Sequence, residues 1–117
     1  MNTELWRVQF LASLDDLSDL ARQRQDWIDS APPTGMSPTE LVCAVFDDSA
    51  IHDLMNAGTV FSSKVDPMLR GMSELAGTID VSQSPEALLR DESWLRLASL
   101  AGRVAQEIRC LPRSGER

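Results

Sequence analysis

The chain has 117 residues, 43% of them apolar and 25% charged, with a formal net charge of −7. That length and composition specify one soluble globular domain with a single core. The acid excess argues against binding nucleic acid or an anionic membrane.

The charge is unevenly placed. Residues 1–58 hold ten acids and three arginines, so all of the −7 sits there, while residues 59–117 hold eight acids and eight bases. Such a field steers a basic partner toward the first half. The opening MNTELWRVQF has an acid at Glu4 and no uninterrupted apolar core, so no signal peptide is expected. No run approaches membrane-spanning length. Two distant cysteines, Cys43 and Cys110, are too few for a disulfide scaffold and suit a reducing cytoplasm.

Trp6, Phe10, Leu14 and Leu17 recur at helical spacing, with Ala21 and Ile28 extending the stripe. They predict one helix from about Thr3 to Asp29. Two alternatives are open at its start. Glu4-Trp6-Val8-Phe10 also alternates like a strand, and Ser13 followed by Asp15 and Asp16 offers a cap and a break. SAPPTG at 30–35 ends the helix. Ser37-Pro38-Thr39-Glu40 is a capping box that opens a second helix, to about Phe46. A short helix near Ala50–Ala57 follows, closed by Gly58. Asp66-Pro67 offers the cap of a third long helix, about Val65 to Ile79. A turn from Pro85 to Arg90 precedes the last, Glu92 to Cys110, which Pro112 stops. The expectation is an all-α, single-domain bundle of four main helices plus short helical turns, spanning residues 1–112, with 113–117 a flexible tail.

The sequence has a single histidine, His52. Asp48 at i−4 would share a helix face with it, and Cys43 would approach from the preceding helix. A nucleophile–base site needs a third, orienting group in space, and a lone histidine in an acidic stretch meets no such pattern. Zinc needs three or four ligands at a suitable spacing, and DDSAIHD lacks the glycine and spaced oxygens of a calcium loop. We expect no catalytic residue, no metal and no cofactor. The pairs Asp15-Asp16 and Asp47-Asp48 point apart on a helix and read better as helix termini.

Acids cannot be buried unpaired without large cost, so Asp47, Asp48 and Asp53 are expected at an exposed end of the bundle, available to a basic partner. Asp15, Asp19, Asp26 and Trp27 form the other candidate docking surface. Trp27 lies between Asp26 and Asp29 near a helix end, and half exposure is expected there, as for an interface aromatic.

Four stretches in order, ELWRVQFLASL, RQDWID, SPTELVCAVFDD and RDESWLRLASLAGRV, resemble the small helical immunity proteins encoded beside bacterial polymorphic or contact-dependent growth inhibition toxins. The resemblance implies a cytoplasmic, non-catalytic protein that neutralises one cognate toxin domain by binding it. The acidic half suits a basic target such as a nuclease. The alternative is a non-catalytic helical adaptor or regulatory protein with a basic partner.

Overall fold

Helix starts follow the serine–proline punctuation. Ser37 Oγ accepts from the Glu40 N–H at 3.2 Å while the Glu40 carboxylate accepts from the Ser37 N–H at 3.0 Å. Those bonds to Ser37 also hold the Glu40 carboxyl below its ordinary pKa. Ser84 caps the later turn in the same way through the Ala87 N–H.

The computed structural model describes residues 3–112, and the tail expected at 113–117 lies outside them. In chain order the helices are α1 (Thr3–Ser18), α2 (Leu20–Arg24), α3 (Pro38–Phe46), α4 (Ile51–Ala57), α5 (Val65–Ala76), α6 (Pro85–Leu88) and α7 (Glu92–Arg109). Among the described residues there is no strand, so the segment from Glu4 to Phe10 is helix. The protein is all-α.

The first long helix breaks at Asp19, not at Ser13. Asp19 leaves helical geometry at φ −88°, ψ 79°, and its carboxylate accepts from the Arg22 N–H at 3.0 Å, starting α2. α2 then widens into one π-helical turn, Gln25–Asp29. α5 stops at Ala76, before Ile79, which is nevertheless buried in the turn that follows.

Asp66 is the second residue of α5 and does not cap it. Ser62 Oγ accepts from the Val65 N–H at 2.9 Å, at the start of α5. The Asp66 carboxylate, 7% exposed, instead organises the preceding loop, accepting from the N–H groups of Val60, Phe61 and Ser62 at 2.7, 2.9 and 3.3 Å.

α7 lies along α1 and α5 and carries the centre of the core, with Trp94, Leu97, Ala101, Val104 and Ile108 buried. It runs antiparallel to the first helical stretch: Trp94 bonds to Gln23 near its start, and Arg109 meets Asp15 near its end. α3 packs on the other flank of α1, also antiparallel. Trp6 Nε1 donates to the Ser49 carbonyl at 2.9 Å at one end, and Asp19 and Leu41 share a hollow at the other.

The turn between α3 and α4 holds Ala50 at φ 58°, ψ 26°, a left-handed conformation disfavoured by a Cβ. Ala50→Gly is expected to stabilise the protein by about 0.5 kcal/mol, and Ala50→Val to destabilise it by about 1 kcal/mol. Chemical denaturation of both variants checks the order. Equal stability of the two would mean that the turn does not constrain this residue.

Candidate functional site

The break at Asp19 opens a hollow of about 200 Å³ between the first helical stretch and the start of α3. Asp16, Asp19 and Asp26 line it, with Arg22 as the cation and Trp27, Met36 and Leu41 as apolar wall. Burial, then the neighbouring carboxylates of Asp15 and Asp19, push the Asp16 carboxyl above its ordinary pKa, and Arg22 opposes them only in part. The Asp26 carboxylate accepts from Arg22 Nε at 3.2 Å and from the Thr34 hydroxyl at 3.4 Å. Gly35, at φ 73°, lies over it, where a Cβ would collide with that carboxylate.

Gln23 forms the back of this hollow and is buried. Its side-chain amide donates to the carbonyls of Leu17 and Asp16 at 2.9 and 3.1 Å, the backbone acceptors freed where α1 ends. Its carbonyl accepts from Trp94 Nε1 at 3.0 Å. One side chain thus ties the helix break to the core.

Trp27 is not half exposed. It is 6% exposed, packs against Trp94 with ring centroids 6.2 Å apart, and donates from Nε1 to the Met36 carbonyl at 2.8 Å. The loop at 34–36 folds back over the helix end and covers the ring, which the flanking aspartates did not reveal. Asp15 is engaged as well, in a two-pronged ion pair with Arg109 of α7. That pair is exposed and worth little in stability.

The other acids fall at the far end of the α1–α3 seam. Asp47 and Asp48 are exposed at the end of α3, and Asp53 is exposed on α4. Asp48 borders a second hollow, of about 250 Å³, with Trp6, Gln9, Ser13 and Ala44. The two acid groups therefore sit at opposite ends of one seam. Helix α4 is entered through Ser49, whose hydroxyl accepts from the Ile51 N–H at 3.2 Å.

His52 and Cys43 turn to different partners. The His52 ring stacks on Phe46 with centroids 6.0 Å apart, and its Nε2 is hydrogen-bonded to Ser73 Oγ at 3.0 Å, linking α4 to α5. The Asp47 carboxylate, then burial and the nearby charge of Asp48, push the Cys43 thiol above its ordinary pKa. A thiol held protonated is a poor nucleophile. Among the described residues no three histidine, cysteine or acidic side chains cluster as a metal site. No helix there is long and apolar enough to cross a membrane.

Sequence reasoning read Asp16 only as part of a helix-terminal pair, left it out of the docking surface, and passed over Gln23. It passed over Leu5 and placed Val8 only in a strand-like alternation, whereas the two are 51% and 55% exposed on α1. The spacing of Leu5, Val8 and Ala12 at i, i+3 and i+7 was the available signal.

Fold and site together define a small all-α protein with an acid-lined seam. Comparison with protein-family models, curated proteins and solved structures finds no match.

Proposed function

We propose that the chain is a non-catalytic binding protein that occludes a basic partner protein, acting in the cytoplasm as an immunity protein against a toxin domain. The observation that supports this best is the hollow at the α1–α2 break, lined by three carboxylates and one arginine. A lysine or arginine of a partner entering it would relieve the repulsion felt by Asp16. Asp47, Asp48 and Asp53 at the other end of the seam extend the same field and would steer the encounter. The scaffold in this reading is a bundle of the four longer helices, α1, α3, α5 and α7. The toxin-directed role rests on the resemblance of four sequence stretches to helical immunity proteins. A nuclease, whose own substrate is anionic, is a target of suitable chemistry.

The test is co-purification from the native host, identification of the bound protein, and its expression with and without this chain. The expected result is growth arrest by the partner alone and growth when the chain is present. Asp47→Lys with Asp53→Lys should slow association and weaken its salt dependence, with the thermal midpoint little changed. Arrest that persists beside the chain overturns the neutralising role. A basic partner whose expression is harmless also overturns it and makes the chain a regulatory helical adaptor.

A further inference from the structure

The side of α1 that faces away from the core is not uniformly polar. Phe10, Leu14 and Leu17 point into the core. On the opposite side lie Leu5 and Val8, at 51% and 55% exposure, and exposed Ala12. Single exposed apolar residues are ordinary. These three stand in register along one helix face, where core packing does not call for them.

This stripe runs directly into the acids. One turn beyond Ala12 come Asp15 and Asp16, then Asp19 at the helix break. From Leu5 to Asp19 the face extends about 21 Å, room for a partner helix of about four turns.

We infer that the outward face of α1, from Leu5 to Asp19, is the docking strip for a cationic amphipathic segment of a partner protein. The inference rests on the binding role proposed above and supplies its face and the partner's chemistry. Charge selects the occupant. All of the net −7 lies in residues 1–58, and the Asp16 carboxyl sits among like charges that an incoming ammonium or guanidinium would neutralise. A second copy would set acids against acids, or carboxylates against the apolar stripe. The occupant is therefore a segment with aliphatic residues along one side and lysine or arginine beside them.

The probe is a synthetic helical peptide about four turns long, with leucines on one face and lysines flanking them. Two controls accompany it, one with every leucine replaced by alanine and one with every lysine replaced by glutamate. Amide chemical shifts of the isotope-labelled full chain map the contact. The expected result is binding of the leucine–lysine peptide with perturbations centred on residues 5–19. Affinity should fall roughly tenfold or more for the alanine control, and likewise for the parent peptide on Leu5→Ser with Val8→Ser. The glutamate control should not bind.

Perturbations centred on Asp47–Asp53, no binding, or equal affinity for the alanine control each overturn the inference. So does unchanged affinity of the double-serine variant, whose thermal midpoint and that of the single Val8→Ser variant verify folding. A dimer in sedimentation that the serine variant dissolves assigns the face to a second copy and also overturns it. Failed growth protection with this mapping intact would remove the toxin-directed role alone. Mapping to another face with protection intact would remove only the strip.

Discussion

Trp94→Ala is expected to lower stability by roughly 3–5 kcal/mol in urea denaturation. Trp94 is fully buried, packs against Trp27 and donates its indole N–H to Gln23 at 3.0 Å. Truncation removes the largest fully buried side chain of the core and also leaves the Gln23 carbonyl without its donor. Two further variants separate the effects. Trp94→Phe keeps most of the apolar body and should cost about 1–3 kcal/mol through the lost polar contact. Gln23→Leu strands the Trp94 N–H and the Leu17 carbonyl, leaves the Asp16 carbonyl only the Asp19 N–H at 3.3 Å, and should cost about 2–3 kcal/mol. Because Trp94 and Gln23 share one bond, the double variant should cost less than the sum of the singles. A Trp94→Ala protein within about 1 kcal/mol of the parent would contradict the burial described.

The second large effect is at Asp66. Asp66→Ala is expected to cost about 3 kcal/mol, since three backbone N–H groups lose a charged acceptor at a site 7% exposed. Asp66→Asn keeps the shape but has one acceptor oxygen, so it should fall between parent and alanine variant. The loop held by Asp66 carries Phe61, which stacks with Trp6 and Phe10 at 5.8 and 5.6 Å. Near-ultraviolet circular dichroism should therefore change with stability, reporting loss of that aromatic packing. An alanine variant with parental stability would mean that the three N–H groups find other acceptors without cost.

The first effect bears on the proposed interface. Gln23 holds the break that exposes Asp16 and Asp19, and Trp94 holds Gln23. A core substitution at Trp94 should weaken partner binding through the shape of the acidic hollow, although Trp94 does not line it.

Sequence by itself determined the helical class and most helix starts. The Ser37–Glu40 box, the Ser84-Pro85 opening and the stripe from Trp94 to Ile108 are written within a few residues, and the groups they satisfy lie within one turn. Exposure of Asp47, Asp48 and Asp53 was legible for a similar reason, since an unpaired carboxylate stays in water. Tertiary structure alone decided the rest. Ser13 and Asp19 are both reasonable local caps. The break falls at Asp19, where Gln23 reaches back to the freed carbonyls of Asp16 and Leu17 while Trp94, 71 residues away from Gln23, secures it. Asp15 met Arg109 across 94 residues, and the Trp27 ring disappeared beneath Met36 and against Trp94. Asp66 looked like a helix cap in sequence, but packing turned its carboxylate to the loop before it. Capping is local chemistry, whereas the partner of a buried polar group is chosen by which helices meet, and that choice follows from filling one core with side chains from the whole chain.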